Sequence, residues 1–270
     1  MKLLLVFIVT FLSILSFAQK GTEWVSKGVF EIDSSDVWTT DVLGNVYVSK
    51  KELITKFDSL GVLKFSQSQK SIGRLSSIQI INTMRLIMFS EEQQEFCFLD
   101  NTLTPYESCV DLIDQNIGNA TMVSVSSQPN KFWVFDQLNS RLLLLSLLKP
   151  EQSQVVENVK GILNSGQISA ILESDNLLYL LDPGQGVFIL DLYGSLVNSI
   201  KIMNAISFQM DDHFLYIQRK SELLIIDLET FQEQIILLPL ENVIQFQKHQ
   251  NNFYFRINNK ILKYQLLFRE

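Results

Sequence analysis

The sequence predicts an all-β fold, a six-bladed β-propeller with four-stranded blades whose ring is closed by the N-terminal strand. Three observations predict it. One hairpin recurs six times, further strands flank its copies, and the last copy lacks an outer strand that the start of the chain can supply.

The hairpin is most legible at 41–61, DVLGNVYVSKKELITKFDSLG, where a Gly-Asn turn leads into a short apolar run, a polar loop and a second run ending in Asp. Runs of this length, β-branched or aromatic and bounded by turn residues, read as strands. Equivalent first strands centre on Tyr47, Ile87, Trp133, Tyr179, Tyr216 and Tyr254, with separations of 40, 46, 46, 37 and 38 residues. Each second strand ends eleven to thirteen residues beyond its centre, at Asp58, Asp100, Ser146, Asp191, Asp227 and Gln265. A strand precedes each hairpin, at 37–40, 78–81, 122–125, 168–172, 205–208 and 243–246. Another follows it at 62–65, 155–159 and 234–238. Four strands per unit of about 40 residues is the grammar of a propeller blade. A β-sandwich also alternates, but without a recurring quartet. The sixth copy ends after its third strand, and the run 22–30 precedes the first copy, so it is the expected closing strand.

Composition fits a packed domain. The 270 residues are 47% apolar and 19% charged, which excludes a disordered chain. The five Pro and eleven Gly form no linker, so a single domain over 19–270 is expected. Residues 1–18 read as a signal peptide, with Lys2, an apolar core, and small Ser16 and Ala18 before the cut. No later apolar run approaches spanning length; 142–148 has only seven residues. The expectation is a periplasmic or secreted protein, with no membrane insertion after cleavage and monomeric by itself. Loss of Lys2 takes the formal charge from −7 to −8. With no Lys/Arg cluster, that balance argues against nucleic acid and against anionic lipid as partners.

The blades resemble those of the PQQ-like, NHL-like and WD40-like propellers over the whole mature chain. The stretch D-x-x-G-N-V-Y-V followed by L-I-T-K-F-D-x-x-G carries the likeness best. The Gly-His and Trp-Asp dipeptides of WD40 repeats are absent, as are paired glycines of kelch type. Phe17-Ala18-Gln19 resembles the signal-peptide ends of exported Bacteroidota proteins.

Catalytic, cofactor and metal sites are not expected. The two histidines, His213 and His249, fall in turns between first and second strands without a further His or Cys, and read as solvated. No G-x-S-x-G elbow is present. Asp58, Asp100, Asp191 and Asp227 recur at one blade position, where an Asp side chain bonds turn amides. The loop 182–186, DPGQG, offers a lone acidic turn with too few oxygens for calcium. Cys97 and Cys109 lie equally spaced from a turn near Leu103, as either a cross-strand disulfide or two buried thiols.

What remains is surface. The loops joining second and third strands are short and polar, which suits a broad protein contact better than capture of a small molecule. Lys50, Lys51, Arg74, Arg219 and Lys220 are the candidate partner contacts. Full use of the chain on the scaffold and the lack of a convergent catalytic group point to a non-catalytic interaction module that binds another envelope protein or complex, such as a plug-like subunit of a type IX translocon. The alternatives are a carbohydrate- or small-ligand-binding propeller using Trp38, and a propeller enzyme using His213 or His249.

Overall fold

A computed structural model describes residues 22–32, 37–165 and 167–268. The proposed leader 1–18 and the first residues of the domain lie outside the described residues. The described chain folds into six four-stranded antiparallel sheets. Blade 1 runs outward from the axis through Val37–Thr40, Val46–Lys50, Leu53–Phe57 and Leu63–Ser68. Blades 2 to 5 repeat the plan from inner strands Ser77–Asn82, Ala120–Val125, Ala170–Ser174 and Ser207–Asp211. In blade 6, Gln245–His249, Asn252–Ile257 and Lys260–Phe268 supply three strands, and Thr22–Glu31 pairs outside them from Thr22↔Phe268 to Glu31↔Lys260. The closing strand is where the sequence puts it.

The apolar triplets have a physical cause. Middle strands of a blade are covered on both faces by neighbouring blades, so they read as continuous apolar runs rather than alternating ones. Leu86, Ile87, Met88 and Phe89 are consecutively buried, as are Phe132, Trp133, Val134 and Phe135. The buried side chains divide into six clusters, one at each seam between blades. Phe89, Phe96 and Phe98 of blade 2, for example, meet Phe132, Val134 and Leu143 of blade 3. At the seam between blades 5 and 6, Trp24 of the closing strand sits edge-on to Phe253 and Phe255 at 5.0 and 5.4 Å. Its Nε1 donates to Leu237 O of blade 5 at 2.8 Å.

Three inner strands begin later than the apolar pattern suggests. Ile168, Ala205 and Val243 pack in the connections, and the strands proper are Ala170–Ser174, Ser207–Asp211 and Gln245–His249. After the outer strand of blade 3, Gln154–Val156, the run at 155–159 breaks into a short helix, Val159–Leu163. No helix among the described residues is long and apolar enough to cross a membrane.

Blade 4 closes tightly at Gly186, whose φ is +120° and where a Cβ would lie 2.0 Å from Ile200 O. That atom belongs to the backbone of the outer strand and cannot swing away. Gly186→Ala is expected to destabilise the protein by about 2 kcal/mol or more in chemical denaturation, and an unchanged midpoint would refute the packing described.

Candidate interaction face

The inner strands surround an axial channel of about 580 Å³. Each pairs on one side only, so its channel edge carries backbone groups that need partners. Glutamine side chains supply several. Gln79 of blade 2 donates through Nε2 to Val123 O at 2.6 Å and accepts through Oε1 from Val125 N at 3.0 Å. Gln247 of blade 6 does the same to blade 1, donating to Trp38 O at 3.4 Å and accepting from Thr40 N at 2.7 Å. In both cases the carboxamide bridges the C=O of residue i and the N–H of residue i+2, which point the same way from a strand. It stands in for a peptide group of a missing neighbour. Gln209 of blade 5 accepts from Lys248 N at 2.7 Å. Between blades 3 and 4 a carboxylate takes the role: Glu173 accepts from the backbone Ser127 N at 3.2 Å, and also from Ser126 Oγ at 2.6 Å and Trp133 Nε1 at 2.5 Å.

One face of the disc is formed by the loops between second and third strands together with the blade-to-blade connections. A buried polar residue near the end of the second strand braces it in four blades. Ser90 donates to Arg74 O at 2.8 Å. Asp136 accepts from Gly118 N and Asn119 N, both at 3.2 Å, from Asn139 Nδ2 at 2.7 Å and from Arg141 Nε at 3.0 Å. Asp182 accepts from Gly184 N at 2.7 Å, Gln185 N at 3.1 Å and Ser165 Oγ. Gln218 donates to Val243 O at 3.0 Å. Burial works against ionisation of Asp136, but hydrogen bonds from Asn139, Gly118 and Arg141 outweigh it and hold the pKa at about 2. Over this braced floor Ile113, Leu138, Ile162, Met203, Ile206 and Ile244 stand exposed, Leu138 by 72% and Met203 by 70%.

The candidate contacts occupy this face but not one patch. Lys50 ends a strand of blade 1 and lines the groove toward blade 6, and Lys51 follows it in the turn with φ 54°. Arg74 lies on the far side of blade 1, in a depression shared with Glu91, Glu92 and Asn119. Arg219 is tied to Glu222 at 2.5 Å within its own turn, while Lys220 is exposed. Blade 6 separates these two residues from Lys50 and Lys51.

Cys97 and Cys109 are disulfide-bonded, with Cα atoms 4.2 Å apart. The pairs Glu95↔Asp111 and Phe96↔Val110 set the register that Cys97 and Cys109 continue. Leu112 N donates to Gln94 O, so by alternation the cysteines form a non-hydrogen-bonded pair, where antiparallel Cα atoms approach most closely.

Both histidines lie toward the opposite face, and neither is simply solvated. His249 ends an inner strand, half-buried, its Nε2 2.9 Å from Thr40 O, and burial pushes its pKa down. His213 is held beside Asp212 at 3.0 Å. Trp38 is only 2% exposed, packed with Phe30, Val48 and Tyr254, so its ring offers no stacking platform. The recurrent turn carboxylates act as expected: Asp58, Asp100 and Asp191 each accept from amides two and four residues on, and Asp227 from those of Glu229 and Thr230.

The bridging glutamines were missed in the sequence, although a signal existed. The residues opposite the six repeat centres are Thr39, Gln79, Ser124, Leu172, Gln209 and Gln247. Three of six are glutamine, at a position where a strand interior normally prefers β-branched or aromatic residues.

No family model and no curated protein matches the chain. Solved structures do match, among them the Neurospora crassa Pan2 WD40 domain, with 11% identity, a TM-score of 0.62, and coverage of 92% of this chain and 98% of that one. At that identity the likeness establishes the β-propeller fold and nothing narrower.

Two outcomes follow from the geometry. Gln247→Leu leaves Thr40 N and Trp38 O without their amide and is expected to cost about 1–3 kcal/mol in urea unfolding, whereas a loss near zero would refute the bridge. Asp136 is depressed in the folded state, so its contribution is full above its ordinary value of 3.8 and is lost as pH falls toward 2. The stability gap between wild type and Asp136→Asn should therefore be constant from pH 5 to 7 and close on acidification between about pH 4 and 2.

Proposed function

We propose that the protein is a non-catalytic, exported interaction module that docks another envelope protein through its braced face. Its specific form is a subunit of an envelope or secretion complex, with a plug-like role at the periplasmic side of a type IX translocon. The observation that carries this reading is an arc of exposed apolar side chains over blades 3 to 6, Leu138 and Met203 foremost, on loops fixed by buried polar residues. Side chains held on a rigid floor lose little freedom on binding, so their burial converts into affinity. Lys50, Lys51, Arg74, Arg219 and Lys220 supply a charged rim of the kind that surrounds an apolar interface centre. The Cys97–Cys109 disulfide suits an oxidising compartment.

Crosslinked co-purification of the full chain from envelope fractions tests the reading. Wild type should bring down one stoichiometric partner, Leu138→Asp and Met203→Asp should lose it at least tenfold, and Leu60→Asp on the opposite face should retain it. Recovery of wild type alone, or loss only with Leu60→Asp, would sink the proposal.

A further inference from the structure

Blade 5 departs from the repeat at one point, on the face away from the proposed docking surface. The turn between its first and second strands and the turn after its third strand are joined by Leu228 N donating to His213 O at 3.0 Å, a link blade 3 also makes from Leu147 N to Asn130 O, so the departure lies in the side chains. This brings a ring nitrogen of His213 and carboxylate oxygens of Asp227 and Glu229 within 4.8 Å of one another. Asp212 adds a carboxylate 3.0 Å from His213 Nδ1.

The other blades act as an internal control. The residue just before the second strand is Asn45, Met84, Asn130, Asn176 and Asn251 in blades 1 to 4 and 6, and His213 in blade 5. Two residues beyond the turn Asp stand Leu60, Thr102 and Tyr193, and in blade 5 Glu229. The turn Asp is explained by its amide bonds, whereas His213 and Glu229 are additions that the scaffold does without elsewhere. Among the described residues, no Lys or Arg pairs with Asp212, Asp227 or Glu229; the nearby Asp211 instead pairs with Lys248. Among the described residues, His213 is thus the one basic side chain beside these three carboxylates.

We propose that His213, Asp227 and Glu229 form a binding site for a divalent transition-metal ion of the zinc class, with Asp212 steadying the imidazole. One nitrogen and two carboxylate oxygens leave a fourth position for water, the ligand count of an open zinc site. The imidazole selects against calcium and magnesium, which take all-oxygen shells. Asp212 bonds Nδ1, and such a carboxylate is the usual outer partner of a histidine that ligates through Nε2. The ion would tie together the two turns of blade 5.

The test is calorimetric titration of the tag-free mature protein with zinc chloride, with cobalt(II) absorbance as a second readout. Wild type should bind one equivalent. His213→Ala and Glu229→Gln should weaken binding at least tenfold with unchanged circular dichroism, and His249→Ala should bind as wild type does. No saturable binding by wild type, undiminished binding by His213→Ala, or equal affinity for calcium would each overturn the site.

Discussion

The constraint on which the molecule depends is the unpaired edge at its axis. Six inner strands converge there, each an edge strand, with no room between them for another strand. Groups left without partners in a partly buried channel cost free energy comparable to a lost hydrogen bond. Gln79 and Gln247 answer this with side chains that carry a peptide-like donor and acceptor on a reach long enough to cross a seam. The same bonds join neighbouring blades. The polar lining of the channel is therefore structural first, and apolar packing between the blades is organised around it.

Ring closure puts the heaviest demand on this arrangement, because blades 6 and 1 are far apart in sequence. Three devices act there. Thr22–Glu31 zips onto the last blade, Trp24 clamps that strand to blade 5, and Gln247 with His249 grips the inner strand of blade 1. The closing cluster of Phe30, Trp38, Val48, Tyr254 and Ile261 fills the seam behind them. A ring completed by side chains from both ends is stiff, and stiffness is what the proposed docking face draws upon.

Much of the fold was legible in the sequence, for a physical reason. Middle strands buried on both faces produce compact apolar triplets such as those around Tyr47 and Trp133, and Asp turns mark the ends of four of the six third strands. Inner strands were less legible, since their apolar content is diluted by residues that serve the channel edge. Ala205 and Val243 drew the reading two residues too early because connection residues also plug the seams. The bracing role of Asp136 was hidden because its donors come from a connection 17 and 18 residues earlier in the chain as well as from its own turn. The grouping of His213 with Asp227 and Glu229 depends on two turns meeting in space, which a linear pattern does not state. The basic candidates were found individually, but their separation by blade 6 follows only from the ring.

The most direct test of this account is hydrogen exchange at single-residue resolution in wild type, Gln79→Leu and Gln247→Leu. The account predicts that the amides of Val125 and Thr40 are protected in wild type. Each should lose protection at least tenfold in the variant lacking its own glutamine, while the other amide and the middle-strand amides stay protected. Equal protection of both amides in all three proteins would contradict the claim that glutamine side chains complete the channel edge.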